Sequence, residues 1–156
     1  MPSRRKLAAF TEAAQRAGTS VAPVEHALFS LEGGQAATTR MLREGVTGII
    51  CASDVLALGA IRAVRRAGLT VPGDVSVVGY DDSAWLVCTD PPLTTVRQPI
   101  QSMGSSAVAL LVNQMESVIA HPEELLFEPE LVVRGSTGPA PVAGVGGQRE
   151  TRTRSE

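Results

Sequence analysis

The sequence predicts an α/β domain built on a doubly wound parallel sheet. Residues 47–52 and 75–79 are continuous apolar runs without alternation, the pattern of strands that are covered on both faces. Between them, Ser53 and Asp54 can cap an amphipathic helix, which Gly68 ends. A strand, a helix and a second strand in this order favour a right-handed crossover between two parallel strands.

Two helices and one extended stretch are predicted before this unit. Apolar residues at helical spacing predict a first helix that begins at Ser3 and stops at Gly18. Residues 21–29 are partly apolar and are predicted as a short strand. A second helix follows Gly34.

Three elements are predicted after the second apolar run. Residues 93–98 are extended, residues 100–120 form a long amphipathic helix, and residues 125–134 form a last strand. Pro129 indicates an edge strand or a bulge, because proline cannot donate to a strand ladder. Residues 138–156 lose the apolar pattern, which predicts a disordered tail.

Composition narrows the class of protein. With 44% hydrophobic residues in 156 positions, the chain can build a core. A formal net charge of -2 gives no field that attracts a polyanion, so the chain itself is not expected to bind nucleic acid. No apolar run is long enough to span a bilayer, and no apolar stretch follows the basic start. We therefore expect a cytoplasmic protein with no membrane partner.

The residues that commonly bind metals are dispersed along the sequence. Cys51 and Cys88 have no CxxC spacing, and His26 and His121 have no Asp, Glu or Cys partners at ligand spacing. The sequence contains no GxSxG, HExxH, Walker or GxGxxG motif. We therefore expect no metal, no cofactor and no catalytic site.

Four segments, in the same order, carry a resemblance to a known family. They are residues 48–63 (GIICASDVLALGAIRA), 68–82 (GLTVPGDVSVVGYDD), 91–99 (PPLTTVRQP) and 130–137 (ELVVRGST). Together they resemble the effector-sensing domain of LacI/GalR-family bacterial transcription regulators.

The resemblance implies one lobe of a two-lobe fold like that of periplasmic sugar-binding proteins, in which three crossovers join the lobes and a small effector lies between them. By this comparison residues 1–98 and 125–137 form the second lobe. Residues 99–124 are then a crossover and a helix of the first lobe. The headpiece that binds operator DNA, and most of the first lobe, are expected to be absent from the chain.

The carboxyl ends of the parallel strands are the expected effector site, because ligands bind there in open sheets. Asp81 follows the second apolar run, and its carboxylate can accept paired hydrogen bonds from sugar hydroxyls or purine nitrogens. The resemblance implies an effector contact at this position. Asp82 is expected only to cap the following turn.

The resemblance implies effector contacts at Ser53 and Phe29, and Gln98 beside the crossover is a further candidate; each has a structural alternative. Ser53 could contact the effector or only cap its helix. Phe29 could stack on a sugar or a base, or it could belong to the core. Gln98 could donate to the effector or bind backbone in a hinge.

Two basic residues of the first helix are also candidates. Lys6 stands where the family usually has an Arg that holds the effector, and it supplies a charge without bidentate geometry. Arg4, within one turn of the same helix, could take that place, or both could be solvated surface cations.

A homodimer is implied as well, through the helix over residues 55–67 and the loop over residues 83–89. Leu58, Trp85 and Leu86 are the candidate interface residues, because they could form an apolar patch suited to a two-fold contact.

The main hypothesis is therefore the effector-binding sensor of a LacI/GalR-type regulator, with a sugar favoured over a purine-like effector. A transport-type sugar-binding protein shares the fold and is the first alternative. An enzyme that uses Asp81 or Asp82 as nucleophile or metal ligand is the second, and the sequence offers no partner base or metal motif for it.

Overall fold

The computed structural model describes residues 2–19, 24–116 and 124–140. In these ranges it has four α-helices, four strands and two short 3-10 segments, Leu42–Glu44 and Ala84–Cys88. The elements are, in order, α1 (Pro2–Arg16), α2 (Leu31–Met41), β1 (Gly48–Ile50), α3 (Asp54–Arg66), β2 (Ser76–Asp81), β3 (Thr94–Arg97), α4 (Ile100–Glu116) and β4 (Glu130–Val132).

The four strands form one mostly parallel sheet in the order β1-β2-β3-β4. β1 pairs parallel with β2 and β2 parallel with β3, whereas β4 runs antiparallel beside β3. α3 connects β1 to β2, so the predicted strand-helix-strand unit is present. β4 begins directly after Pro129 and lies at the edge of the sheet, as the proline indicated. The predicted α/β class is confirmed.

α2 and α3 pack against each other at unusually close range because glycines line their contact. A Cβ at Gly34 would lie 2.3 Å from the Leu56 carbonyl oxygen, and one at Gly59 would lie 2.1 Å from the Leu31 carbonyl oxygen. No side chain larger than hydrogen fits at either position. α3 packs on the sheet and carries much of the buried core there, and α2 packs on α3.

One predicted interface residue, Leu86, lies in the core and not at the surface. Leu86 is fully buried and packs with Ile49, Val64, Val77 and Leu93. Its position in the 3-10 segment points it under the loop rather than outwards, so the expectation of an exposed Leu86 is wrong. Trp85 beside it is 47% exposed, and Leu58 is half-buried at the margin of the core.

β1 is covered on one face only, which corrects the expectation of a strand buried on both faces. Ile49 is buried under α3, but Ile50 is 59% exposed. Neighbouring residues of a strand point to opposite faces, so Ile50 lies on the side away from α3. In the described part of the chain, this second side of β1 remains largely open to solvent.

The strand predicted over residues 21–29 is absent from its described part, residues 24–29. Leu28 and Phe29 are 82% and 71% exposed, so the segment buries little apolar surface that would hold it against the sheet. The segment instead ends in the cap of α2, where the Ser30 hydroxyl accepts a hydrogen bond from the Gly33 amide at 3.0 Å. Residues 20–23 lie outside the described ranges.

α4 contains no buried residue. Leu110 is half-buried, and the other large apolar side chains are exposed: Ile100, Met103, Val108, Leu111, Val112 and Met115. This exposure agrees with the prediction that the helix packs on something other than this lobe, and that assignment stays a prediction. Residues 117–120 of the predicted helix lie outside the described part.

The tail predicted from residue 138 begins too early. Gly138 donates a backbone hydrogen bond to the Ser76 hydroxyl at 3.1 Å, and so it continues the ordered contact of the preceding segment with β2. Residues 141–156 lie outside the described ranges. No described helix is long and apolar enough to cross a membrane.

We predict that Gly59→Ala destabilises the chain by about 1–3 kcal/mol, because its methyl group overlaps the Leu31 carbonyl. The matched control is Gly104→Ala in α4, where nothing lies within 4 Å of the added Cβ. That change should be neutral or stabilising by up to about 1 kcal/mol, since alanine is the better helix former. Urea unfolding measures both, and equal stabilities of the two variants would contradict the close packing of α2 on α3.

Candidate functional site

The carboxyl ends of β1, β2 and β3 meet at one edge of the sheet, as expected for parallel strands. Asp81 is the last residue of β2, and Gln98 follows the last residue of β3. α1 reaches the same edge, because Lys6 donates a hydrogen bond to the Ala52 carbonyl after β1, at 3.2 Å. The fold thus brings Lys6, Asp81 and Gln98 together from three separate parts of the chain.

A buried carboxylate, that of Asp54, holds this edge in shape. Asp54 is 1% exposed. Its Oδ1 accepts a hydrogen bond from the Thr95 hydroxyl at 2.7 Å, and its Oδ2 accepts one from the Ser83 backbone amide at 2.8 Å. Gly79 leaves the necessary space, since a Cβ there would lie 2.5 Å from Asp54 Oδ1. Asp54 therefore does more than stabilise the start of α3, because it also fixes β3 and the loop after β2.

Ser53 has the capping role rather than the effector role. Its hydroxyl accepts a hydrogen bond from the Leu56 amide at 3.3 Å, and the residue is 1% exposed. A side chain that is already engaged and enclosed has no surface left for a ligand. Ser53 is accordingly removed from the candidate site.

Asp81 lies at the edge in a backbone conformation that most residues avoid, with φ of 114°. Its Oδ1 accepts a hydrogen bond from Gln98 Nε2 at 2.7 Å. Burial raises the pKa of Asp81, and Asp54 adds to this rise, whereas Lys6 and the Gln98 hydrogen bond oppose it. Gln98 thus orients Asp81. This role differs from both that the sequence suggested, a contact with the effector and a hydrogen bond to backbone in a hinge.

Lys6 supplies the positive charge beside Asp81. Its ammonium nitrogen lies 3.2 Å from the centroid of the Tyr80 ring. Burial lowers the pKa of Lys6, and the charge of Asp81 acts in the opposite direction. Tyr80 was not among the predicted site residues, although it stands directly before Asp81 and is the only tyrosine of the chain.

Asp82 is an ion-pair centre rather than a turn cap. It accepts hydrogen bonds from Arg97 Nε and from Arg134, each at 2.6 Å, and Arg97 also contacts Glu130 at 3.1 Å. Burial alone would raise the pKa of Asp82, but the hydrogen bonds and charges of Arg97 and Arg134 outweigh it and lower the pKa. Asp82 therefore joins the end of β2 to β3 and to the chain after β4.

Phe29 and Arg4 are not joined to this cluster by any hydrogen bond or ring contact among the described residues. Phe29 is 71% exposed just before the cap of α2, so the alternative of a core residue is wrong. Arg4 is exposed and precedes Lys6 by two positions. Residues two apart on a helix face different directions, so Arg4 is not placed to substitute for Lys6.

The chain matches the model of the periplasmic binding protein-like domain over residues 2–137. It belongs to that family. The regulator MalR of Streptomyces coelicolor is 50% identical over 147 residues, which are 90% of this chain and 43% of the regulator. The repressor CytR of Escherichia coli K12 is 36% identical over 140 residues, which are 87% of this chain and 41% of CytR.

Solved structures agree with this periplasmic binding protein-like fold. The Lac repressor bound to ONPG in the repressed state matches with a TM-score of 0.78 and 34% identity, over 87% of this chain and 42% of the repressor. The complex of the regulator CelR with cellobiose matches with a TM-score of 0.75 and 37% identity, over 80% and 39% of the respective chains.

The resemblance to LacI-family regulators is thereby confirmed, and the chain matches their C-terminal effector-binding region. It spans about 43% of the length of the curated relative from Streptomyces coelicolor. The relatives named above are transcription regulators.

The ion pairs of Asp82 predict how this periplasmic binding protein-like domain responds to acid. Because the folded pKa is lowered, these pairs stabilise the fold above the unfolded pKa of about 3.9, and this contribution is lost as the pH falls through the folded value. Asp82→Asn should therefore be less stable than the wild type at pH 6 and should lose less further stability between pH 5 and pH 3.

Urea unfolding at each pH measures this difference. Asp90→Asn is the matched control, because the Asp90 side chain is 98% exposed and its contact with Arg65 is long, at 3.8 Å. The Asp90 variant should keep the wild-type pH dependence. A wild-type slope in the Asp82 variant would show that these ion pairs contribute nothing to acid sensitivity.

Proposed function

We propose that this chain is the second lobe of the effector-binding sensor of a LacI/GalR-type transcription regulator, and that the edge formed by Lys6 and Asp81 binds a small hydroxylated metabolite. The observation that carries the proposal is Asp81, a half-buried carboxylate that Gln98 orients at the carboxyl edge of the sheet. Such a group can accept two hydrogen bonds from neighbouring hydroxyls.

The charges at this edge favour a neutral ligand over a phosphorylated one. Arg97 and Arg134 are paired with Asp82, and Arg97 also contacts Glu130, whereas Lys6 is only within electrostatic range of Asp81. An added phosphate would find both arginines already paired and would lie close to the carboxylates of Asp81 and Asp82. A sugar, which offers hydroxyl donors and acceptors without a net charge, fits better.

Two of the related structures contain sugars. CelR is complexed with cellobiose, and a LacI-family regulator from Enterococcus faecium, 30% identical, contains bound ribose. Phe29, exposed at the start of α2, would stack on the apolar face of such a ligand. These comparisons favour a sugar over a purine-like effector for this chain.

In this proposal the second wall of the site comes from a first lobe, and the whole regulator binds operator DNA through a headpiece. One solved relative is a Lac repressor dimer bound to operator and an anti-inducer. A ligand that contacts both lobes would shift the equilibrium between their arrangements and so change DNA affinity. We propose that the whole regulator is cytoplasmic and is not an enzyme. A transport-type sugar-binding protein is less favoured, because the curated relatives named above are regulators.

We predict that Asp81→Asn weakens sugar binding by about 1.5 to 3 kcal/mol, roughly ten- to 150-fold in Kd, through loss of a charged acceptor. Asn is the chosen replacement because it tolerates the positive φ at this position. The measurement is calorimetry of the complete gene product that carries this chain, with cellobiose and ribose. Glu44→Gln, a comparable loss of a carboxylate at an exposed position outside the proposed site and interface, should bind like the wild type. Equal affinity of the Asp81 variant and the control would remove Asp81 from the site.

We further propose that the complete protein is a homodimer through α3 and the segment Ala84–Cys88. A groove of about 440 Å³ runs along α3, lined by Leu58, Ile61 and three arginines, and ends at Thr89 and Asp90. Trp85, 47% exposed in the adjoining segment, adds apolar surface. Apolar and aromatic residues with arginine are typical of interfaces.

Trp85→Asp should therefore shift the complete gene product from dimer to monomer in sedimentation velocity. The exposed position means that the folded lobe accommodates the carboxylate, so its melting temperature should change little. Trp85→Phe is the control and should keep the dimer. An Asp variant that sediments like the wild type would contradict this interface.

A further inference from the structure

The only lysine of the chain stacks on its only tyrosine. Lys6 Nζ lies 3.2 Å from the centroid of the Tyr80 ring and donates a hydrogen bond to the Ala52 carbonyl, also at 3.2 Å. The face of the ring and the carbonyl oxygen both carry partial negative charge, so both attract the ammonium group. Two independent contacts thus fix the position of the Lys6 ammonium group.

Tyr80 reaches this position because of its register in β2. Gly79, the residue before it, faces α3, where its backbone lies against Asp54. Neighbouring strand residues point to opposite faces, so the Tyr80 ring lies on the side away from α3. The Lys6 side chain of α1 contacts this ring, and Tyr80 pairs in register with Val96 of β3. The register of β2 therefore puts the ring where the Lys6 ammonium group stacks on it.

We propose that Tyr80 is a positioning residue, whose ring face and the neighbouring Ala52 carbonyl hold the Lys6 ammonium beside Asp81 before any ligand arrives. The use of this charge in ligand binding rests on the proposed function, whereas the stacking itself does not. A free lysine side chain has many rotamers and loses them when it binds. A lysine that is already held loses less, so it binds with higher affinity.

The electrostatics of the two side chains support this role. Burial lowers the pKa of Lys6 and so disfavours its charged form, while Asp81 favours that form. The ring adds a second group that stabilises the cation without forming an ion pair that a ligand must break. Among the described residues the Tyr80 hydroxyl makes no hydrogen bond, so the ring face carries the contact.

The stacking can be tested on one signal in the 156-residue chain. Growth on ¹³C-lysine labels Lys6 alone, and its ε-protons should resonate upfield of free lysine because they lie over an aromatic face. Tyr80→Phe keeps a ring and should keep the upfield position. Tyr80→Leu should return the signal to the free-lysine position. A purely structural tyrosine would change the melting temperature without moving this signal.

The use of the held charge is tested by calorimetry of the complete gene product with cellobiose and ribose. Tyr80→Leu should weaken binding roughly two- to five-fold, the effect of losing an exposed cation–π contact. Tyr80→Phe should restore wild-type affinity. In the background of Lys6→Met, Tyr80→Leu should cause no further loss, because the ring acts only through the lysine.

The outcomes separate the two proposals. A wild-type Lys6 signal at the free-lysine position overturns the positioning role, whatever the sugars do. A second outcome combines an upfield Lys6 signal in the wild type with unchanged sugar affinity in Tyr80→Leu and weakened affinity in Asp81→Asn. It overturns the use of the charge and leaves the proposed function intact. If neither sugar binds the wild type, the sugar assignment fails, and the spectrum alone decides whether Tyr80 holds Lys6.

Discussion

The geometry of the candidate site depends on the hydrogen bonds of the buried Asp54 carboxylate. Removing a charged group from water is costly unless hydrogen bonds replace the lost solvation. Here the Thr95 hydroxyl and the Ser83 amide supply them. These partners come from β3 and from the loop after β2. Asp54 also lies in the first turn of α3, where the helix dipole favours a negative charge. The group is satisfied only when helix, strand and loop are all in place, so one residue makes their arrangement cooperative.

The unusual backbone after β2 follows from the same contact. Asp81 and Asp82 both have positive φ, at 114° and 56°, which costs free energy in non-glycine residues. Ser83 is tied to Asp54 on one side of this bend, and Asp82 is tied to Arg97 and Arg134. The surrounding bonds thus offset the strain, and the bend directs the Asp81 carboxylate to the open edge where Gln98 meets it.

Sequence patterns predicted the parts of the fold that depend on local chemistry. The apolar runs before Ser53 and Asp81, the helix between them and the edge strand after Pro129 all carry local signals, and the structure contains each of these elements. Patterns failed where the outcome depended on distant partners. Leu86 looks like a loop residue but is enclosed by the core.

Tyr80 illustrates the same limit for the site. Its adjacency to Asp81 is visible in the sequence, but its role requires α1 to bring Lys6 across the strand edge, a separation of 74 positions that no local pattern encodes. Conversely, Lys6, Asp81 and Gln98 were proposed independently from the sequence, and the fold joins them through Tyr80 and one hydrogen bond. The candidate residues were thus accessible from sequence, and the bonds that hold them were not.

The rigidity of this edge also restricts how the proposed sensor could switch. A ligand changes a conformational equilibrium only by its difference in affinity for the two states. Asp54 and the ion pairs of Asp82 join β2, β3 and the chain after β4, so rearranging the edge would break several buried or paired contacts at once. Moving this lobe as a unit breaks none of them. Ile50 and the apolar side chains of α4 remain exposed, and they are surfaces that such a unit would present to a neighbouring lobe. In the proposed function the difference in affinity must therefore arise from contacts between the lobes. Lys6 and Asp81 then form a rigid binding surface, and the ligand is enclosed when the other lobe moves towards it.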